Sequence, residues 1–329
     1  MRAIQIFQTG GPEVLTEVEL PTPQARAGEI RVKAEVIGIG RPDVLVRKGV
    51  YKWMPPLPTI PGSEMVGIVD QVGPDVPAQL QGQRVLISAR ELAIRGGCYA
   101  EYICVPFEAA YVLPASINPV DAASLPNLQL VNALWTCHGE RPVRSLLISG
   151  VSGGVGSTLT QFARMKGVQV IGTTSTPEKA AFALTQGVSA VVQGDAATWP
   201  EQVMQATHGQ GVDLAIDQLG GSALVASLRS LAPMGMAVSI NVITGMPSED
   251  VFQVMRALLG RSLALRTFSM HTFDEDVTVR RLLMQRAIEQ MASGQVRAPQ
   301  AQVLSLSEIQ QAHALLDAGA SRGKLVIQL

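Results

Sequence analysis

The sequence predicts an α/β fold in which a doubly wound parallel sheet is inserted into a β-rich domain. Three observations support this prediction. The first third of the chain consists of strand-length segments separated by Gly and Pro. The middle alternates strand and helix patterns, as doubly wound parallel sheets do, and the end returns to mixed α and β. A chain of 329 residues is long enough for about two domains.

The β-rich part is predicted from six segments that alternate or run apolar with β-branched residues. Turn signals such as Gly73-Pro74 separate them. Their spacing predicts a barrel-like all-β unit. The segments are RAIQIF (2–7), VLTEVEL (14–20), EIRVKAEVIGI (29–39), MVGIVDQV (65–72), QRVLIS (83–88) and YAEYICV (99–105).

A change of pattern near Pro119 marks the inserted part. A helical pattern follows it, which Pro126 is expected to break or kink. Strands are then predicted at 145–149, 168–174, 189–192, 212–217, 236–242 and 263–268, with helices at 154–166, 177–185, 199–207, 222–231 and 249–258. The last part carries helices at 275–293 and 307–317 and the closing strand KLVIQL. The predicted boundaries are 1–121 and 271–329 for the split β-rich domain and 122–270 for the insert.

Composition excludes several classes of protein. The 26 basic and 27 acidic residues give a net charge of −1 without a basic stripe, so no nucleic-acid partner is expected. No apolar run reaches the roughly 20 residues of a membrane helix, and no signal-peptide pattern opens the sequence. Three cysteines are too few for a four-cysteine metal site or a disulfide framework. A reducing cytoplasm is the predicted location.

The segment SLLISGVSGGVG (145–156) carries the clearest chemical signal. An apolar strand enters a glycine-rich turn that opens a helix, which is the Rossmann dinucleotide fingerprint with Val151 at the usual first glycine. The free N–H groups of the helix favour a pyrophosphate. A tight turn that needs only backbone freedom is the alternative interpretation. The candidate cofactor-binding residues here are Ser152, Gly153, Gly154 and Val155.

The end of the next strand, IGTTSTPEK, distinguishes the two common dinucleotides. An acidic residue there would hold the 2′-hydroxyl of NAD. Thr173, Thr174 and Ser175 stand at that place instead, with Lys179 one helical turn further on, which favours the 2′-phosphate of NADPH. These residues also suit a helix cap, with Lys179 solvated, and capping does not exclude phosphate binding. Leu219 and Asn241 are further candidate cofactor contacts.

The same residues carry a family resemblance that extends over essentially the whole chain. The glycine-rich turn, the Asp43–Tyr51 spacing, PGSEMVGIV (61–69) and the TPEK helix start resemble the quinone oxidoreductase and 2-enoyl thioester reductase branch of the medium-chain dehydrogenase/reductase superfamily. The resemblance implies a GroES-like β domain around the Rossmann domain. It also implies a homodimer in which the edge strand LALRTF (263–268) pairs across a two-fold axis, unless the helix after it covers that edge.

Departures from relatives bear on the chemistry. Zinc alcohol dehydrogenases carry Cys and His where this chain has GIGRPD, the predicted loop after the third strand, and Ser63, and the four histidines show no ligand spacing, so the chain is predicted to be metal-free. Relatives in the branch often have Asn where Gly40 stands. Many also have a Thr facing the nicotinamide where the alignment gives Val131, next to Asn132.

Tyr51 is the candidate catalytic residue. It matches the tyrosine that the enoyl thioester reductases use to stabilise an enolate or deliver a proton, and an aromatic wall over the substrate is the equally weighted alternative. Glu64 is expected to be a structural residue paired with Arg or Lys rather than a catalytic acid. Arg47 and Lys48 are expected to be solvated, with attraction of an anionic substrate group as the alternative interpretation.

The predicted function is therefore that of a metal-free, NADPH-dependent reductase of a quinone or of an activated C=C bond, either an enone or an enoyl thioester. The expected partner is a small apolar electrophile, since Trp53, Met54 and two prolines beside Tyr51 suggest an apolar rim; plain loop packing is the alternative interpretation. The alternative is a dinucleotide-holding structural protein of the crystallin-like type, which the departures at Gly40 and Val131 motivate. The natural substrate stays open.

Overall fold

The structure, a computed structural model, describes all 329 residues. The chain divides into two compact units: residues 1–126 with 300–329, and residues 127–299. The predicted insertion of one domain into the other is therefore present. No helix combines the length and apolar character needed to cross a lipid bilayer.

The first unit is built on a mostly antiparallel sheet of seven strands. Its order is β14-β15-β3-β4-β5-β7, and β6 also pairs with β3. The separate strands β1 and β2 form an antiparallel pair. The elements are β1 (Arg2–Gln5), β2 (Thr16–Glu19), β3 (Glu29–Ile39), α1 (Arg41–Arg47), β4 (Glu64–Val72), β5 (Arg84–Ser88), β6 (Tyr102–Pro106), β7 (Ala110–Val112), α2 (Pro119–Ala122), β14 (Ala301–Leu304), α10 (Ile309–Asp317) and β15 (Lys324–Gln328).

The second unit is a six-stranded parallel sheet with the order β10-β9-β8-β11-β12-β13. The strand order reverses between β8 and β11, as in doubly wound dinucleotide-binding folds. The elements are α3 (Leu125–Trp135, which begins in the first unit), β8 (Ser145–Ile148), α4 (Gly154–Met165), β9 (Gln169–Thr173), α5 (Pro177–Thr185), β10 (Ala190–Val192), α6 (Trp199–Ala206), β11 (Val212–Asp217), α7 (Gly221–Arg229), β12 (Leu231–Ser239), α8 (Val251–Ala257), β13 (Ala264–Thr267) and α9 (Val277–Ala292).

The predicted fold class is confirmed: an α/β chain in which a Rossmann-like parallel sheet is inserted into a β-rich domain. The second boundary falls at 299/300 rather than at 270/271. Helix α9 explains the difference, because Leu283 packs with Ala133 of α3 in one small core. The backbone oxygen of Arg280 also accepts a 2.8 Å hydrogen bond from the Gln129 amide, which holds α9 to α3.

Two local predictions differ from the structure, and one is confirmed. The segment after β3 was expected to be a loop, but α1 begins at Arg41 because the Gly40 N–H is capped by the Asp43 carboxylate at 2.8 Å. The expected break at Pro126 is confirmed: α2 ends at Ala122 and α3 begins at Leu125, which puts Pro126 in the first turn of α3, where its missing N–H has no partner to lose. Strand β12 ends at Ser239, so that Asn241 lies beyond the strand.

Candidate functional site

The glycine-rich turn lies between β8 and α4 as the sequence predicts. Gly150 has a φ of +62°, and its N–H donates to the Thr173 hydroxyl of β9 at 3.1 Å. Helix α4 then begins at Gly154, and no side chain caps its first turn. The N-terminal N–H groups and the positive end of the helix dipole are thus left for an anionic ligand. Ser152 is buried, whereas Gly153, Gly154 and Val155 are half-buried.

Val151 replaces the first glycine of the fingerprint without opening the turn. Its side chain is buried against Gly172 of β9, where an added Cβ would lie 2.3 Å from Val151 Cγ1. At Gly156, an added Cβ would lie 2.6 Å from the Val151 carbonyl oxygen, so the helix packs as closely as the fingerprint requires. Gly172 is a residue that the sequence analysis missed. The signal for it was a glycine inside an otherwise bulky strand.

The end of β9 brings Thr174, Ser175 and Lys179 together. The Lys179 ammonium donates to the Ser175 hydroxyl at 2.9 Å, and burial lowers the pKa of Lys179. The Thr174 hydroxyl is buried and has no hydrogen-bond partner in the protein. A buried hydroxyl of this kind calls for a ligand or solvent partner. The group offers two hydroxyls and one ammonium, a chemistry that fits a phosphate.

Capping of α5 and binding of a phosphate are compatible roles for the residues at the end of β9. The Thr176 hydroxyl accepts from the Lys179 N–H at 3.3 Å and caps α5, as the capping interpretation expects. Lys179 is half-buried, so its ammonium is partly exposed to solvent. The Thr173 hydroxyl is occupied by the Gly150 N–H, so Thr173 supports the glycine-rich turn.

Leu219 and Asn241 lie in the two turns that follow β11 and β12. Both are half-buried. The Leu219 carbonyl accepts from the Thr244 N–H at 2.8 Å and thereby ties the two turns together. The Asn241 side chain accepts from the Val242 N–H at 3.2 Å. The parallel sheet therefore places these two residues and the glycine-rich turn at one edge, the carboxyl ends of the strands, where ligands of doubly wound sheets bind.

Tyr51 lies in the first unit, after α1. Its ring packs against the core of that unit and lies 5.6 Å from the ring of Trp53, at an interplanar angle of 57°. The ring is half-buried. This packing is what the aromatic-wall interpretation requires, and it leaves the role of the hydroxyl a prediction.

Several polar residues of the first unit are structural. Glu64 is buried and pairs with the buried ammonium of Lys324, as the structural interpretation expects. Arg47 was expected to be solvated, and that expectation is wrong: its side chain is 0% exposed and pairs with Asp317 at 2.5 Å. Lys48 also pairs with Asp317, at 2.7 Å.

The structure also shows where the residues aligned near the reacting carbon and the possible metal ligands lie. Val131 is fully buried, and the neighbouring Asn132 amide donates to Gln290 at 2.9 Å, so both support the packing of α3. No group of three or more His, Cys, Asp or Glu side chains lies close enough to hold a metal ion. His313 is buried and bonds to the Tyr99 hydroxyl at 3.0 Å.

Comparison with known proteins gives concordant matches over both units. The family models described as “Alcohol dehydrogenase GroES-like domain” and “Zinc-binding dehydrogenase” match residues 26–115 and 154–285. The chain is 32% identical to the quinone oxidoreductase of Rattus norvegicus over 73% of each chain. It is 30% identical to quinone oxidoreductase 1 of Escherichia coli over 98% of each chain. The structure of Escherichia coli quinone oxidoreductase complexed with NADPH covers 100% of both chains, with a TM-score of 0.84 and 28% identity.

Proposed function

The chain belongs to the quinone oxidoreductase branch of the medium-chain dehydrogenase/reductase superfamily, and we propose that it is an NADPH-dependent reductase of quinones. The observation that carries the cofactor assignment is the group at the end of β9. There the unpartnered Thr174 hydroxyl and the Ser175–Lys179 pair stand where an acidic residue would repel a 2′-phosphate. A relative of the same branch has been solved with NADPH, which agrees with this assignment.

The residues of the second unit hold and orient the cofactor in this proposal. Ser152, Gly153, Gly154 and Val155 present the first turn of α4 to the pyrophosphate, and Thr174, Ser175 and Lys179 hold the 2′-phosphate. Leu219 and Asn241 line the nicotinamide half. The nicotinamide, when bound, supplies the hydride. The protein contributes positioning and the exclusion of water.

Tyr51 separates quinone reduction from reduction of an activated C=C bond. Enolate formation concentrates charge on one oxygen, so a phenol that stabilises it or protonates the product contributes about 10²–10⁴-fold. In a quinone two oxygens share the charge, and water can protonate the hydroquinone. Tyr51→Phe keeps the ring packing against Trp53 and removes only the hydroxyl. It is expected to leave quinone turnover within a few-fold of the unchanged protein.

The test is NADPH oxidation with a panel of quinones, enones and crotonyl thioesters, by the unchanged protein and by Tyr51→Phe. Quinone turnover that survives the substitution supports the proposal. Turnover confined to enones or thioesters and lost in Tyr51→Phe would replace it with C=C reduction. NADPH binding without turnover of any compound would replace it with the structural, dinucleotide-holding alternative.

Metal independence is part of the proposal. Gly40 and Ser63 cannot supply the thiolate and imidazole that zinc-dependent relatives use, and Glu64 is bound to Lys324. Elemental analysis of purified, active protein should find no stoichiometric zinc. One zinc per chain, removable only with loss of turnover, would overturn this part of the proposal.

A further inference from the structure

Ser149 and Asp217, here called the switch-point pair, join the ends of β8 and β11. These neighbouring strands are the two between which the strand order of the sheet reverses. The Ser149 hydroxyl donates to Asp217 Oδ1 at 2.7 Å and accepts from the Gln218 N–H at 2.9 Å. Both side chains are 0% exposed.

Asp217 is a buried carboxylate without a cation beside it. It is held by the Ser149 hydroxyl, by the Gly220 N–H at 2.9 Å and by the Leu219 N–H at 3.3 Å. Burial raises the pKa of Asp217, and these three donors act in the opposite direction. A buried carboxylate without a counter-ion is costly even when hydrogen bonds offset part of the cost, so a stabilising role alone is a poor explanation for Asp217. The three hydrogen bonds hold the Asp217 carboxylate in one orientation, and this indicates that it fixes the geometry of the turns around it.

The switch-point pair fixes the geometry of three turns: the glycine-rich turn, the Leu219–Gly220 turn and the turn that contains Asn241. On one side, the Gln218 amide donates to the carbonyl oxygens of Ser149 and Gly150, at 2.8 and 3.3 Å, at the start of the glycine-rich turn. On the other side, Asp217 orients the N–H groups of the Leu219–Gly220 turn, where Gly220 has a φ of +76°. The carbonyl oxygen of Leu219 in turn accepts from Thr244. The Asn241 turn is thereby connected to the other two.

We propose that Asp217, through Ser149, is the positioning residue that preorganises the cofactor-facing edge of the parallel sheet for NADPH. The inference rests on the proposed function and assigns a role to a residue that is fully buried behind the turns. Preorganised turns lose less freedom when a ligand binds. Disturbing the pair should therefore weaken NADPH and NADP⁺ alike, whereas loss of Lys179 should affect only the distinction between phosphorylated and unphosphorylated cofactors.

The same two strands supply a matched control at their opposite ends. Asp213 of β11 accepts from the N–H groups of Arg144 and Ser145 at 2.7 and 3.1 Å, and the Ser145 hydroxyl accepts from the Asp213 N–H at 3.1 Å. This second Ser–Asp pair lies at the amino ends of β8 and β11, away from the three turns. Loss of this second pair should lower the stability of the sheet and should leave the affinity for the cofactor unchanged.

The experiment measures dissociation constants for NADPH and NADP⁺, together with the melting temperature of the free protein, in Asp217→Asn, Ser149→Ala and Asp213→Asn. Asp217→Asn should weaken both cofactors by about tenfold or more, the range of a hydrogen bond to a charged group. Ser149→Ala, which keeps the carboxylate and tests the same link if Asp217→Asn fails to fold, should weaken both by several-fold. Asp213→Asn should change neither affinity by more than about twofold.

Three results would count against the inference. If Asp217→Asn and Ser149→Ala bind both cofactors as the unchanged protein does and only melt earlier, the pair is merely structural. If Asp213→Asn weakens binding as much as Asp217→Asn does, affinity follows general stability and the inference is again wrong. An unchanged protein that binds no NADPH at all would overturn the proposed function as well, so the two failures are distinct.

Discussion

Replacement of Lys324 by Met should destabilise the first unit strongly. Lys324 begins β15 and Glu64 begins β4, with the end of β3 between them. The Glu64 side chain crosses β3 at Gly38, where an added Cβ would overlap the carboxylate. It reaches the ammonium of Lys324, which also lies 3.4 Å from the Ile39 carbonyl oxygen. Glycine at position 38 is therefore required for this pair.

The size of the effect follows from burial. Lys324 is 3% exposed and Glu64 is 5% exposed, so Lys324→Met leaves a carboxylate that water does not reach. Removing one partner of a buried ion pair costs about 3–5 kcal/mol. At roughly 2–4 °C per kcal/mol for a domain of this size, the melting temperature of the unit should fall by about 6–20 °C. The double variant Glu64→Gln/Lys324→Met removes both charges of this pair, although the buried Asp43 carboxylate stays nearby, and should recover much of that loss.

The assay is thermal and urea unfolding of four proteins: the unchanged chain, Lys324→Met, the double variant and Arg2→Met. Arg2 pairs with Glu101 at the surface, with 46% and 28% of the two side chains exposed, and its loss should cost far less. A Lys324→Met protein as stable as the unchanged chain would refute the reasoning. So would a double variant no more stable than the single one. Full quinone turnover in the double variant would also exclude Glu64 as a catalytic acid.

Three further predictions concern the cofactor, pH and assembly. Lys179→Ala and Ser175→Ala should each reduce the preference for NADPH over NADH, by up to about tenfold; equal affinities of the unchanged protein for the two cofactors, measured by fluorescence titration, would contradict the phosphate assignment. Burial, and then Arg47, lowers the pKa of His313 from 6.5 to about 3. The folded imidazole stays neutral, so its contribution to stability is complete above about pH 6.5 and is lost as the pH falls toward 3. In urea unfolding between pH 7 and pH 5, the free energy of unfolding falls as the pH is lowered. His313→Gln should reduce this fall by at most about 1.4 kcal/mol per pH unit, and an unchanged pH profile would contradict this. The chain should form a homodimer through the edge strand β13, and light scattering that finds only a 35 kDa species at micromolar concentration would reject it.

The elements that the sequence predicted well are those set by local patterns. Strand β3, helix α5 and strand β11 have the predicted bounds, because alternation, a Thr-Pro cap and an apolar run are each contained in the segment itself. The turn at Ser152 and Gly153 was identified for the same reason, since a glycine-rich turn between a strand and a helix is a local feature. Thr174, Ser175 and Lys179 followed from their spacing along one strand and one helical turn.

The sequence by itself thus determined the fold class, the insertion of one domain into the other, and the glycine-rich turn between β8 and α4. Only the tertiary structure decided which polar residues meet. Glu64 and Lys324 are 260 positions apart, and Ser149 and Asp217 are 68 apart. The burial of Arg47 against Asp317 likewise depends on a helix from the far end of the chain. Periodicity describes one segment at a time, whereas an ion pair or a hydrogen bond across a sheet depends on strand order and register, which only the folded chain specifies.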